Sequence, residues 1–165
     1  MGVKFHPKWC SYFAPLTVAL QRAPPGPVLE MGAGIHSTQF LHWMCLDQGR
    51  ELWTFDNDPT YFNIAQLCET RWHHLVLVDD WDDADIERPW ALAFVDHKPA
   101  ERRRVDIARL ADQAQVILYH DSQGRDKRHY HYETIIPLFK YRRGYGKALP
   151  QTTAVSNFVD VRGWW

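Results

Sequence analysis

Apolar positions along this chain follow two rhythms. Short, nearly unbroken apolar runs mark strands buried on both faces, and longer stretches with apolar residues every third or fourth position mark amphipathic helices. Over residues 10–22 the stripe Phe13, Leu16 and Leu20 predicts a helix, stopped by Pro24-Pro25-Gly26-Pro27. Residues 27–31 read as a strand running into Gly32-Ala33-Gly34, and Ser37 and Thr38 are N-cap candidates for a helix that Gln48-Gly49 closes. A second strand over 51–55 leads to Asp56-Asn57-Asp58-Pro59, where the proline suits the first turn of a helix over 60–71. Further strands are expected over 74–78, 90–95 and 115–119, with a helix over 100–113 between the last two. Beyond them the pattern predicts a basic, aromatic loop, a short helix near 132–136, and two late antiparallel strands near 138–141 and 152–161.

Strands separated by single helices predict an α/β domain: a doubly wound, mostly parallel sheet of about seven strands, antiparallel at one edge, with helices on both faces. At 165 residues the chain holds one such domain, with residues 1–25 as an N-terminal helix or lid and 123–150 as a variable segment on the substrate side. The formal net charge of −1 selects neither nucleic acid nor an anionic membrane. Cys10, Cys45 and Cys68 are odd in number and form no CxxC pair, so they read as reduced thiols of a cytoplasmic protein. No apolar stretch approaches membrane-spanning length, and the start of the chain (Lys4, His6, Pro7, Lys8) lacks the apolar core of a signal peptide.

In doubly wound sheets the ligand sits beyond the carboxyl ends of the strands. Here the first five strands finish at Glu30, Asp56, Asp79 and Asp80, Asp96, and Asp121, so every end carries acid. The glycine turn lets a ligand approach bare backbone at a helix N-terminus, but Ser37 stands where the dinucleotide fingerprint needs its third glycine. Glu30 before that turn would repel a pyrophosphate and suits an ammonium group. Asp56, with Asn57 beside it, can accept from both hydroxyls of a ribose. Asp79 or Asp80 can accept from an exocyclic adenine amine, with Trp81 lying on its face. The ligand so described is an adenosine with a zwitterionic, cationic tail and no phosphates.

That ligand is S-adenosylmethionine (SAM), and from residue 28 to 121 the chain resembles the Rossmann-like class I SAM-dependent methyltransferases. VLEMGAG looks like their first motif, TFDND like their ribose acid and LVDDW like their adenine segment, in the expected order. His36 stands where many members carry another glycine, and the hydroxyls of Ser37 and Thr38 can donate there instead. AFVDHK and LYHDS resemble the small metal-dependent enzymes related to catechol O-methyltransferase. That likeness implies Asp96 and Asp121 as ligands of Mg²⁺, Ser122 in place of an asparagine, and Lys98 as base, displaced by one residue; the alternative is that Asp96 touches the cofactor's amino group and Asp121 caps a loop or receives substrate hydrogen bonds.

His97 and His120 flank these acids and either can act as a general base; the alternative is that they pack on adenine or bond backbone carbonyls. His129 and His131, alternating with Tyr130 and Tyr132, read as an aromatic lid or as rings folded back on the domain. Glu101-Arg102-Arg103-Arg104 reads as a solvated face, or as arginines that anchor an anionic substrate or a neighbouring subunit. Trp164-Trp165 is expected to dock on the domain or on a second copy in a homodimer.

The resulting expectation is methyl transfer to a small or medium acceptor, at oxygen. Nucleic acid is disfavoured as a partner, because AFVDHK stands where enzymes methylating nucleic-acid amines commonly carry an NPPY-like tetrapeptide. Two other readings stay open: a non-catalytic protein binding SAM or S-adenosylhomocysteine (SAH), and an adenine-nucleotide or NAD domain.

Overall fold

The computed structural model describes residues 10–165, so the charged start of the chain (Lys4, His6, Pro7, Lys8) lies outside the described residues. Apolar runs become strands β1 (Val28–Met31), β2 (Leu52–Asp56), β3 (His73–Leu77), β4 (Leu92–Val95) and β5 (Ile117–Tyr119), all parallel. The late strands are β6 (Tyr141–Tyr145) and β7 (Thr152–Ser156), antiparallel to each other, with β7 also antiparallel to β5. The seven-stranded sheet has the order β3-β2-β1-β4-β5-β7-β6. Helices α1 (Phe13–Arg22), α2 (Ser37–Gln48), α3 (Pro59–Ala65), α4 (Arg103–Arg109) and α5 (Gly124–His129) make the connections.

Side chains alternate across each strand, so the sheet feeds two cores. Leu29, Met31, Ala93, Val95, Ile117 and Tyr119 face one, closed by Trp81, Ile107 and Leu110. Val28, Leu52, Leu92, Phe94 and Leu118 face the other, closed by Leu16 and Leu20 of α1 and by Leu41 and Cys45 of α2. The same period of two sends Glu30 and Thr54 toward α2, and their hydroxyl and carboxyl groups meet there.

Several boundaries differ from expectation, each for a local reason. The helix expected over 60–71 shortens to α3 and a 3₁₀ turn at Gln66–Cys68, because it buries only Ala65. That expected over 100–113 starts as a 3₁₀ turn (Ala100–Arg102) and ends at Arg109, since Trp90 takes the following backbone through Trp90 N to Gln113 O and Gln115 N to Trp90 O. The helix near 132–136 is two 3₁₀ turns, Tyr132–Thr134 and Ile136–Leu138, around Pro137, which cannot donate to a helical ladder. β7 stops at Ser156, whose hydroxyl accepts from the amides of Phe158 and Val159 and turns the chain. Ser37 and Thr38 are the first helical residues of α2 and not its cap, which is His36.

Trp164 is buried against the α1 core and Trp165 stacks edge-on to Tyr145, so the terminal tryptophans dock on their own domain. All three cysteines are free. Among the described residues no helix is long and apolar enough to cross a membrane.

Asp106, fully buried on α4, ties the back of the rim together by accepting from Arg102 and Arg109 and by pairing with His97 Nε2 at 3.0 Å. Burial opposes its charge, but these three partners hold its carboxyl below the usual range. A depressed acid contributes stability above its unfolded pKa and loses it as pH falls. Asp106→Asn is therefore expected to lower unfolding free energy by about 2 kcal/mol near neutral pH. Urea denaturation of both proteins at pH 7 checks it, and equal midpoints would show that the network adds nothing.

Candidate functional site

Beyond the last residue of four of the five parallel strands the ladder continues one step. Gly32 N bonds Phe55 O at 2.9 Å, Val78 N bonds Asp56 O at 3.0 Å, Asp96 N bonds Met31 O at 2.9 Å and His120 N bonds Val95 O at 3.2 Å. These bonds line up the glycine turn, the end of β2, Asp96 and His120 along one rim. A groove of ≈ 650 Å³ opens on it, walled by Asn57, Asp58, Lys98, Pro99, His129 and Tyr130 among others.

Glu30 lies fully buried within β1 at the head of the turn. Its Oε2 accepts from Thr38 Oγ1 at 2.9 Å and Thr54 Oγ1 at 2.8 Å, while its Oε1 has no hydrogen-bond partner among the described residues. Burial pushes its pKa up to about 7, against the hydroxyls of Ser37, Thr54 and Thr38, which hold it down. Behind it runs a buried polar string: Thr54 Oγ1 to His73 Nε2 at 3.0 Å, and His73 Nδ1 to His42 Nδ1 at 3.1 Å. Burial and the neighbouring His42 lower His73 to about 4, so it stays neutral and positions Thr54.

Asp56 stands beside the turn, 6% exposed, with Oδ2 accepting from Ala33 N at 2.5 Å and Oδ1 from Asp58 N at 2.6 Å. Each oxygen keeps a further lone pair. Thr38 also receives Gly34 N at 2.9 Å, so the hydroxyls of α2 serve the turn and Glu30 instead of capping the helix.

At the ends of β4 and β5 four ionisable groups converge. Arg103 Nη2 lies 2.9 Å from Asp96 Oδ1, and its Nη1 lies 2.9 Å from Asp121 Oδ2. His120 Nδ1 is 3.3 Å from Asp96 and 3.6 Å from Asp121, and its Nε2 is 2.9 Å from Ser11 Oγ. Ser11 donates its own proton to Pro150 O at 2.8 Å, so it accepts from His120. Its Nδ1 faces the two carboxylates, which favour the protonated ring. Burial lowers its pKa, but Asp96 and Asp121 outweigh that and raise it. Burial likewise works against the Asp96 charge, and Arg103 and His120 prevail, holding the carboxyl below its ordinary value. Asp96 and Asp121 remain 24% and 23% exposed, so the pair faces the opening.

Other sequence candidates fall elsewhere. Trp81 is 3% exposed, with its indole N–H on Lys98 O at 2.7 Å and its ring 4.1 Å from His97. It therefore belongs to the core and offers a ligand no free face. Asp80 caps its own 3₁₀ turn and pairs with Arg102, leaving Asp79 exposed at the rim. The Lys98 ammonium reaches over Tyr61 at 5.9 Å, on the groove wall, and forms no pair with Asp96. Ser122 is locked against β7 by Gln151 O and Thr153 Oγ1. Of the aromatic loop, Tyr132 is buried on Tyr119 and only His129 and His131 are exposed.

Arg103, Ser11 and Tyr12 are residues that sequence reasoning missed. Arg103 sits in a run read as a solvated face and is 4% exposed, whereas Arg102 and Arg104 are less buried. A signal was present: Arg103, Asp106, Ile107 and Leu110 share helical spacing, which puts the arginine on the inward stripe. Tyr12 packs edge-on to His120 at 5.2 Å and beside Phe94 at 5.0 Å, roofing the corner.

The donor set does not fit Mg²⁺. A divalent ion between Asp96 and Asp121 would displace a buried guanidinium already bonded to both. The corner offers two carboxylates as hydrogen-bond acceptors, held by Arg103 and flanked by His120. The exclusion of nucleic acid gains no structural support, since Lys140, Arg142 and Arg143 stand exposed along the outer edge.

No protein-family model matches this chain, and no curated protein matches it in sequence. Solved structures do match its fold. The N-terminal domain of human METTL16 in complex with SAH aligns with a TM-score of 0.62 at 11% identity, covering 96% of this chain and 73% of that one. A methyltransferase from Pyrococcus furiosus aligns with a TM-score of 0.62 at 12% identity, over 95% and 89% of the two chains. The SAH-bound Podospora anserina methyltransferase PaMTH1 gives 0.66 at 14% identity, over 97% and 80%. The shared feature is the methyltransferase fold, and nothing in these likenesses singles out the catechol O-methyltransferase group.

Proposed function

We propose that this chain is a SAM-dependent methyltransferase whose acceptor is a hydroxyl held at the Asp96–His120–Asp121 corner. The observation that carries the cofactor assignment is the unpartnered Oε1 of Glu30, fully buried at the head of the glycine turn. A buried carboxylate oxygen without a donor is costly, and an ammonium group satisfies it. Such a group is what SAM carries and what NAD and ATP lack at that position. The fold shared with SAH-bound methyltransferases supports the same reading.

Glu30 would hold the ammonium, Asp56 the ribose hydroxyls, and Asn57 with Asp79 the adenine side of the rim. SAM supplies an electrophilic methyl group on a sulfonium, already activated, so the protein contributes alignment and exclusion of water. Asp96 and Asp121 would accept from the acceptor hydroxyl, orient its oxygen and take up its proton as the methyl group is transferred. The buried Arg103 guanidinium weakens the pull of this pair on a cationic amine, and this favours a neutral hydroxyl over an ammonium acceptor. His120 beside Asp96 would hold that carboxylate in place.

Calorimetry with SAM, SAH, NAD and ATP tests the assignment. SAM and SAH are expected to bind and the nucleotides not; a preference for ATP or NAD overturns it. Asp56→Ala is expected to weaken SAM by about 1–3 kcal/mol, because it removes charged hydrogen bonds to the ribose and frees Ala33 N of the turn. Unchanged affinity would place the ribose elsewhere. Transfer of a labelled methyl to hydroxyl-bearing acceptors then separates an enzyme from a protein that only binds SAM.

A further inference from the structure

We infer that Arg103 is the built-in cation of the acceptor corner, standing where a divalent ion would bridge Asp96 and Asp121, and that it masks a latent metal site made of Asp96, His120 and Asp121. The geometry of the site stands by itself; its part in methyl transfer rests on the reading proposed above.

One oxygen or ring nitrogen from each of Asp96, His120 and Asp121 lies within 4.8 Å of the others, a spacing that a single ion can span. Two carboxylates and an imidazole are a common divalent donor set. Arg103 fills that position with directional bonds. Its Nη1 meets Asp121 Oδ2 at 2.9 Å, its Nη2 meets Asp96 Oδ1 at 2.9 Å and Asp96 O at 3.0 Å, and its Nε donates to His97 O at 2.7 Å. The side chain is 5% exposed, and the Tyr130 ring lies 5.8 Å from its guanidinium carbon on the groove side. A planar cation bonded at both ends to the backbone after β4 cannot swing aside as a lysine can.

Two consequences follow. The carboxylates are fixed and neutralised before any acceptor arrives, so the corner needs no exchangeable ion. Arg103 is a positioning residue: it acts on the acceptor only through Asp96 and Asp121.

The test is a Mn²⁺ titration followed by electron paramagnetic resonance, on protein without SAM. Wild type is expected to show no saturable Mn²⁺ binding that Asp121→Asn removes. Arg103→Ala is expected to gain at least about tenfold in Mn²⁺ affinity, since a like charge a few ångströms from the ion is gone, and Arg103→Ala with Asp121→Asn is expected to lose that gain. Tight Mn²⁺ binding by wild type that Asp121→Asn abolishes overturns the inference, and this arm holds even if Arg103→Ala does not fold. A folded Arg103→Ala protein with unchanged Mn²⁺ affinity overturns the latent site. If SAM fails to bind in calorimetry while the Mn²⁺ pattern appears, the methyltransferase reading falls and the cation site remains.

Discussion

With Glu30 replaced by glutamine, SAM affinity is expected to fall by about tenfold to a hundredfold, the worth of a charged hydrogen bond in a buried site. The cofactor-free variant is expected to be more stable than wild type at pH 8. The sign follows from the raised pKa. Glu30 titrates near 7 in the folded protein against an ordinary value of 4.5, because burial disfavours its charge. Its contribution to stability is whole below the unfolded pKa and is lost as pH rises toward 7. Above 7 the folded state holds a buried carboxylate at a cost of about 3 kcal/mol. Glutamine removes that cost together with the charge that an ammonium needs.

The same logic gives wild-type SAM binding a pH dependence that the variant lacks. Below 7 Glu30 must give up its proton to receive a cation, so affinity rises with pH and levels off above 7. Thermal unfolding at pH 5 and 8, with calorimetric SAM titrations over the same range, checks both halves. A variant that binds SAM as wild type does, with the same pH profile, would remove Glu30 from the cofactor site.

Gly32→Ala is the second large effect, and it acts through the backbone. Gly32 has φ +97, and a Cβ built on it meets His97 Cα and N at 2.6 Å. The atoms in the way are main chain, so no side-chain rotation relieves the clash. Strain at a left-handed position and overpacking each cost about 1–3 kcal/mol, and together about 4 kcal/mol of stability is expected to go. The turn can relax only by parting β1 from the His97 loop, which displaces Asp96 beside it. Chemical denaturation is expected to show a lower midpoint, and calorimetry no measurable SAM binding. Gly49→Ala is a control on strain alone: its φ is +64, nothing lies within 4 Å of a Cβ there, and it caps α2 shortly before the start of β2. If both variants lose equal stability, the close approach at Gly32 carries no weight.

Much of this architecture is written locally. Leu29, Met31, Phe55, Val95 and Tyr119 sit in short, nearly unbroken apolar runs that read directly as strands buried on both faces. Gly32-Ala33-Gly34 between strand and helix marks the ligand edge, and the acids after successive strands mark the rim. Boundaries were less legible where a distant group intervened, as when Trp90 takes the backbone after Leu110 and ends α4 early.

The division has a physical cause. Periodicity and turn chemistry depend on neighbours within a few positions, so the amino-acid order alone determined an α/β sheet, its glycine bend and the ring of carboxylates around it. Whether a charged side chain goes inside depends on partners that only folding brings near. Ser11 reaches His120 across 109 positions, Thr54 meets Glu30 across 24, and Arg103 bonds Asp121 across 18. Those contacts turned an arginine from a charged run into the ion of the corner, set His120 beside two carboxylates, and left one oxygen of Glu30 waiting for a donor.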